Sequence, residues 1–132
     1  ATRPYPGIPE MIEGLAAAGV PMAVLSNKPD AFTRIMVEHF FPARPFREVR
    51  GERPGVPRKP DPSAALDVAR SLGVTPADFR FLGDSDVDML TARAAGMVPV
   101  GALWGFRGPD ELRRSGAEAL LASPQELLRL LD

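Results

Sequence analysis

Apolar residues along this chain switch repeatedly between helical spacing and short continuous runs. Residues 8–19 carry Ile8, Met11, Ile12, Leu15 and Ala18 on one helical stripe, which Gly19 ends. Met22-Ala23-Val24-Leu25 is a continuous apolar run, and predicts a strand buried in a parallel sheet. Residues 30–41 return to helical spacing at Phe32, Ile35, Met36 and Phe40, with Asp30 as the predicted N-cap. His39 falls on that stripe and reads as structural rather than as a catalytic base. A weak strand is predicted near Phe46 to Val49, then an exposed loop rich in Gly, Pro and charge from Arg50 to Pro62.

The second half repeats the alternation. Asp61-Pro62 opens a helix with Pro at its first position, where the missing N–H costs nothing. That helix runs through Ala65, Leu66, Ala69 and Leu72 to Gly73. Thr75-Pro76 punctuates the next connection, and Phe79 to Leu82 predicts a second buried strand ending at Gly83. A helix over 86–96 closes on Gly96, and Val98 to Leu103 is another strand. Two short helical stretches follow, 109–115 and 124–131, around a short strand near Ala119 to Leu121. Strands alternating with helices predict an open, mainly parallel α/β sheet. In such sheets the chemistry gathers at the carboxyl ends of the strands, here just after Leu25 and Leu82.

Composition narrows the picture by exclusion. The chain's 132 residues fit one domain, 1–132, with no internal repeat or interdomain linker. A net charge of −1 and scattered arginines define no nucleic-acid surface, and no apolar run reaches membrane-spanning length. The absence of cysteine excludes disulfides, thiol catalysis and Cys-ligated metal, and fits a reducing cytoplasm. Of the 16 basic residues only two, Lys28 and Lys59, are lysines, and both fall inside candidate motifs.

Three clusters could carry chemistry. Ser26-Asn27-Lys28-Pro29 follows the first strand, where a hydroxyl and backbone N–H groups together can hold a phosphate. By itself such a pair is more often a turn and helix cap. Arg58-Lys59-Pro60-Asp61-Pro62 places a lysine between prolines that restrict the backbone, so its charge can be delivered to a fixed point. A solvated charged loop would read the same way. Gly83-Asp84-Ser85-Asp86-Val87-Asp88 puts three carboxylates within five residues at a strand-to-helix junction. Hard divalent cations, Mg²⁺ above all, prefer such oxygen ligands. Helix-dipole and capping effects account for Asp86 or Asp88 without a metal, but not for Asp84 at the strand end.

In that order, Ser26-Asn27, Lys59-Pro60 and Gly83-Asp84-x-x-x-Asp88 resemble motifs II, III and IV of the haloacid dehalogenase superfamily. The wording is closer still to its phosphoglycolate phosphatase-like members: Pro4-Tyr5-Pro6-Gly7, Ser26-Asn27-Lys28-Pro29, Gly51-Glu52-Arg53 and Ala94-Ala95-Gly96-Met97. The resemblance implies a Rossmann-like three-layer α/β/α sandwich with a mainly parallel sheet, here incomplete. It implies that Ser26, assisted by Asn27, binds the transferring phosphoryl group, and that Lys59 bridges nucleophile and phosphate oxygens. It implies that Asp84 ligates Mg²⁺, with Asp88 holding the metal or its waters and Ser85 adding a hydrogen bond. Asp86 receives no role, and a catalytic role for Lys28 is not expected.

The same resemblance exposes a gap. Members begin with a strand ending in Asp-x-Asp-Gly-Thr or Ser, whose first Asp attacks phosphorus. Here the only Asp-x-Asp pairs are Asp84/Asp86 and Asp86/Asp88, downstream of the lysine and not followed by Gly-Thr. The expectation is that the nucleophile strand and a helical cap lie upstream of Ala1, so that this chain alone does not turn over substrate. Without that strand, the 22–25 and 79–82 segments should pair directly, recruit a strand from another copy in a homo-oligomer, or belong to a longer protein that completes the sheet. The implied activity of the parent is hydrolysis of a small phosphorylated metabolite such as 2-phosphoglycolate, through an aspartyl-phosphate. The alternatives are a non-catalytic phosphate- or Mg²⁺-binding partner subunit, a phosphosugar mutase or a dehalogenase. Trp104 and Phe106, after a strand end, could rim the pocket, although packing at the sheet edge is the simpler reading.

Overall fold

Buried apolar side chains in the computed structural model fall into two groups, and each organises its own compact unit. One unit comprises the residues up to Val56 and those from Pro124; the other is Pro57–Ser123. The structure describes residues 5–105 and 107–130.

The first unit is built from α1 (Ile8–Ala17), β1 (Ala23–Pro29), α2 (Asp30–Phe40), β2 (Glu48–Glu52) and, from the chain's far end, a short helix over Gln125–Arg129. Met11, Ile12 and Leu15 lie on the inner face of α1, as their spacing predicts, and are buried with Met22 and Leu127. Gly14 lets the Gln125–Arg129 helix approach closely, since a Cβ there would stand 2.9 Å from Leu128 Cδ2. β1 and β2 pair in parallel, Ala23 opposite Glu48 and Leu25 opposite Arg50. The next matched pair is Pro29 with Glu52, four residues along β1 but two along β2. Ser26-Asn27-Lys28 therefore occupies a bulge within β1, not a loop after it. β2 also runs to Glu52, beyond the predicted start of the exposed loop.

α2 departs from its predicted pattern. Phe32 and Ile35 are exposed at 45% and 67%, and the buried residue of this helix is Thr33. His39 is exposed too, edge-on to the Phe40 ring, so its place on the apolar stripe does not translate into burial. Periodicity identified the helix; it did not identify which face is covered.

The second unit holds α3 (Ser63–Leu72), a 3₁₀ turn over Pro76–Asp78, β3 (Arg80–Gly83), α4 (Asp86–Ala95), β4 (Val98–Ala102), α5 (Pro109–Arg114) and β5 (Ala119–Leu121). The helix over Gln125–Arg129, in the first unit, is α6. The strands form one parallel sheet in the order β3-β4-β5, with Leu82 opposite Val100 and Gly101 opposite Leu120. β4, in the middle, is buried from Pro99 to Ala102. Met89 and Ala92 of α4 pack out of contact with solvent, as do Val100 of β4 and Leu112 of α5. α4 ends at Gly96, whose φ of 75° is the left-handed geometry that closes a helix on its own carbonyls. α3 begins one residue later than predicted: Pro62 is its N-cap, and the Asp61 carboxylate accepts from the Ser63 N–H at 2.8 Å.

β1–β2 and β3–β4–β5 are separate sheets. Direct pairing of the 22–25 and 79–82 segments, one of the three expected outcomes, is not found among the described residues. β1 pairs with β2 instead, and β3 with β4. Among the described residues no helix is long and apolar enough to cross a membrane.

Candidate active site

β3 carries the chain to Gly83, and α4 starts three residues later at Asp86, so Asp84 and Ser85 form the turn between them. Ser85 is the N-cap of α4: its hydroxyl accepts from the Asp88 N–H at 3.3 Å and donates to Asp88 Oδ2 at 3.1 Å. The same Oδ2 accepts from the Asp84 N–H at 3.2 Å. Asp88 Oδ1 accepts from the Lys59 ammonium at 2.6 Å. Both oxygens of Asp88 are thus engaged, and Lys59 and Asp88 retain only 11% and 13% of their side-chain exposure. Lys59 follows the Pro-rich turn, its bond to Pro60 is cis, and its Nζ lies 5.9 Å from the centre of the Phe81 ring. A lysine on a restricted turn, a carboxylate in the first turn of α4, and an aromatic face on β3 therefore meet at the end of β3.

This resolves the crowding of three carboxylates. Asp88 is neutralised by Lys59, and Asp86 sits in the first turn of α4, where the helix dipole favours it. Asp84 is different. Among the described residues its carboxylate takes part in no hydrogen bond or ion pair, although it is half-buried. Such a group suits a hard cation, so Asp84 fits the role of an Mg²⁺ ligand. Asp88, with each oxygen held by a donor, fits the outer role of orienting and balancing charge. Among the described residues no three acidic, His or Cys side chains are gathered to enclose a metal, so the two carboxylates make only part of a coordination shell.

Ser26 and Asn27 belong to the first unit. In the β1 bulge the Ser26 hydroxyl accepts from the Lys28 N–H at 3.1 Å, which leaves its own proton as a donor. The bulge is clamped from outside the motif. Asp30 is not the N-cap of α2, a position taken by Pro29. Its carboxylate reaches across to β2 instead, accepting from the Gly51 N–H at 2.9 Å and from Arg34 at 2.7 Å, with Arg53 at 3.3 Å. The Gly51 hydrogen bond, then Arg34 and Arg53, hold its carboxyl at about 2, against an ordinary 3.8. Thr33 Oγ1 lies within hydrogen-bonding distance of the Lys28 and Pro29 carbonyls. Gly51 has no room for a side chain, since a Cβ would stand 2.5 Å from the Lys28 carbonyl oxygen.

In the sequence Asp30 reads only as a helix cap, Gly51 only as part of the family's wording, and Thr33 is not singled out. Their signal is a contact between β2 and the start of α2, which spacing along the chain does not carry. Phe81 was read only as strand filling. Trp104 is half-buried in the turn after β4, and Phe106 lies outside the described residues.

The Haloacid dehalogenase-like hydrolase family profile matches residues 1–102. The chain belongs to that family. It is 31% identical over 131 residues to phosphoglycolate phosphatase 1 of Pseudomonas aeruginosa, covering 99% of this chain and 48% of that protein. It is 31% identical over 132 residues to the N-acetylmuramic acid 6-phosphate phosphatase of the same organism, covering 99% and 58%. The crystal structure of a predicted phosphoglycolate phosphatase from Haemophilus somnus superposes with a TM-score of 0.90 at 27% identity, covering 98% of this chain and 58% of that one. This haloacid dehalogenase-like chain therefore has the Rossmann-like α/β fold its motifs implied, and spans about half the length of the relatives it matches.

Proposed function

We propose that this chain supplies the phosphate- and metal-binding part of a Mg²⁺-dependent phosphomonoester hydrolase. One observation carries the reading: Lys59 is fixed 2.6 Å from Asp88, while the Asp84 carboxylate beside them is left without a partner among the described residues. A cation and a hard-metal ligand held at one strand end suit a phosphoryl group, whose reaction builds charge on oxygen. In this reading Lys59 neutralises charge on the phosphoryl oxygens and on the attacking carboxylate. The Ser26 hydroxyl donates to the phosphoryl group, and Asn27 assists it. Asp84 holds Mg²⁺ and Asp88 fixes Lys59. When bound, Mg²⁺ supplies further neutralisation of phosphoryl oxygen.

The attacking aspartate comes from residues other than these 132, through an aspartyl-phosphate in the parent protein. The substrate is a small phosphomonoester, with 2-phosphoglycolate suggested by the relatives' names. The test is hydrolysis of 2-phosphoglycolate with and without Mg²⁺. The 132-residue chain alone should show none. The parent protein should show Mg²⁺-dependent turnover that Lys59→Met lowers by about 10²-fold or more. Turnover by the parent that is indifferent to Lys59→Met would sink this assignment. Phosphate binding by the parent without any turnover would favour the non-catalytic subunit instead.

A further inference from the structure

Two glycines flank the carboxylates of this site, and a positive φ accounts for neither. Gly83 and Gly105 are not among the residues with positive φ, which elsewhere in the chain explain glycine at turns and helix ends. What each lacks is room. A Cβ on Gly83 would overlap Asp88 Cβ and stand 2.5 Å from Asp88 Oδ2. A Cβ on Gly105 would overlap Asp84 Cβ, and stand 2.8 Å from Cγ and 2.5 Å from Oδ2. Asp84 therefore lies flat against the main chain of the turn after β4, which bounds a side chain that no hydrogen-bond donor among the described residues holds.

We infer that Gly105 is a positioning residue: the bare main chain at this position sets the orientation of the Asp84 side chain, and through it the affinity for a divalent cation. This rests on the reading that Asp84 holds the metal. Any side chain at 105 must push Asp84 aside, because the clash involves its Cβ as well as its carboxylate. The Asp84 Cβ is fixed by the strand end, so the side chain cannot escape by a change of rotamer alone. Gly108 provides an internal comparison in the same turn. Its φ is −85°, and a Cβ there would meet nothing within 4 Å.

The experiment compares Gly105→Ala, Gly108→Ala, Asp84→Asn, Asp84→Gly and the double variant Asp84→Gly/Gly105→Ala in the full chain. Mn²⁺ binding is followed by water-proton relaxation, and unfolding by thermal melts. Gly105→Ala should weaken Mn²⁺ binding about 10-fold or more, the range seen when a ligand's supporting partner is lost, while Gly108→Ala, at the N-cap of α5, leaves that affinity unchanged. Gly105→Ala should also lower the melting temperature by about 4 °C or more, yet cost nothing when added to Asp84→Gly, where the obstructed side chain is gone. The double variant keeps the idea testable if Gly105→Ala alone does not fold. Unchanged Mn²⁺ affinity in Gly105→Ala, beside a loss in Asp84→Asn, overturns the role of Gly105 and leaves Asp84 standing as ligand. Unchanged affinity in Asp84→Asn overturns both. If Gly105→Ala lowers the melting temperature equally with and without the Asp84→Gly change, the contact is not with the Asp84 side chain, and the inference fails on stability alone.

Discussion

Lys59 and Asp88 are nearly enclosed, so neither charge is well hydrated, and each is the other's opposite charge at 2.6 Å. Removing Lys59 leaves the Asp88 charge enclosed with, among the described residues, only the Ser85 hydroxyl and the Asp84 N–H to hold it, which costs more than the pair contributes when intact. Lys59→Met should therefore destabilise the chain by about 2–3 kcal/mol in urea titrations, and adding Asp88→Asn should recover part of that loss. If Lys59→Met were as stable as the unaltered chain, the 2.6 Å ion pair would not be a persistent feature in solution. Asp30 makes a second claim at this scale. Its carboxyl titrates at about 2 in the folded chain against 3.8 ordinarily. A folded value below the unfolded one stabilises the chain above about pH 4, and that contribution disappears as pH falls towards 2. Asp30→Asn should flatten the fall in stability between pH 4 and 2, as read by melts across that window.

The start of α4 shows how an element serves the site. Ser85 caps the helix and, through the same hydroxyl, holds the carboxylate that holds Lys59. Ser85→Ala should cost about 1 kcal/mol of stability, seen as a melting-temperature drop of roughly 4 °C. It should also loosen Asp88, visible as a shift in the Lys59 ammonium signal by NMR. Helices and strands were legible wherever caps and period agreed: Gly73 and Gly96 end α3 and α4 as expected, and β5 falls on Ala119–Leu121. Failures have physical causes. The β1 bulge depends on its register against β2, which alternation of residues within β1 cannot encode. The exposed face of α2 depends on what covers it, and Phe32, Ile35 and His39 look the same in sequence whether covered or not.

Across the molecule, the motifs located chemistry better than they located its supports. Lys59, Asp84, Ser85 and Asp88 stood in the sequence as two separated clusters, and the second unit brings them to one strand end. Phe81 on β3 and Gly105 after β4 reach that strand end from separate strands, and no linear spacing announces them. Ser26 and Asn27 stand in the other unit, with Asp30 and Gly51 as their clamp. Composition reads the chain as a single domain, and within it the packing gathers into two compact units, one of whose boundaries falls inside the Gly- and Pro-rich segment 50–62.

The near-absence of lysine gives the site a natural chemical reporter. With arginine supplying almost every other positive charge, only two side-chain amines exist to react with an acylating reagent. Lys28 stands in the open, its Nζ 5.5 Å from the Phe32 ring centre, while the Lys59 amine is shielded and ion-paired. Mild acetylation followed by peptide mass mapping should mark Lys28 first and Lys59 more slowly, and Asp88→Asn should raise the rate at Lys59. Rates that were equal in the unaltered chain would mean that the amine at 59 spends its time in water.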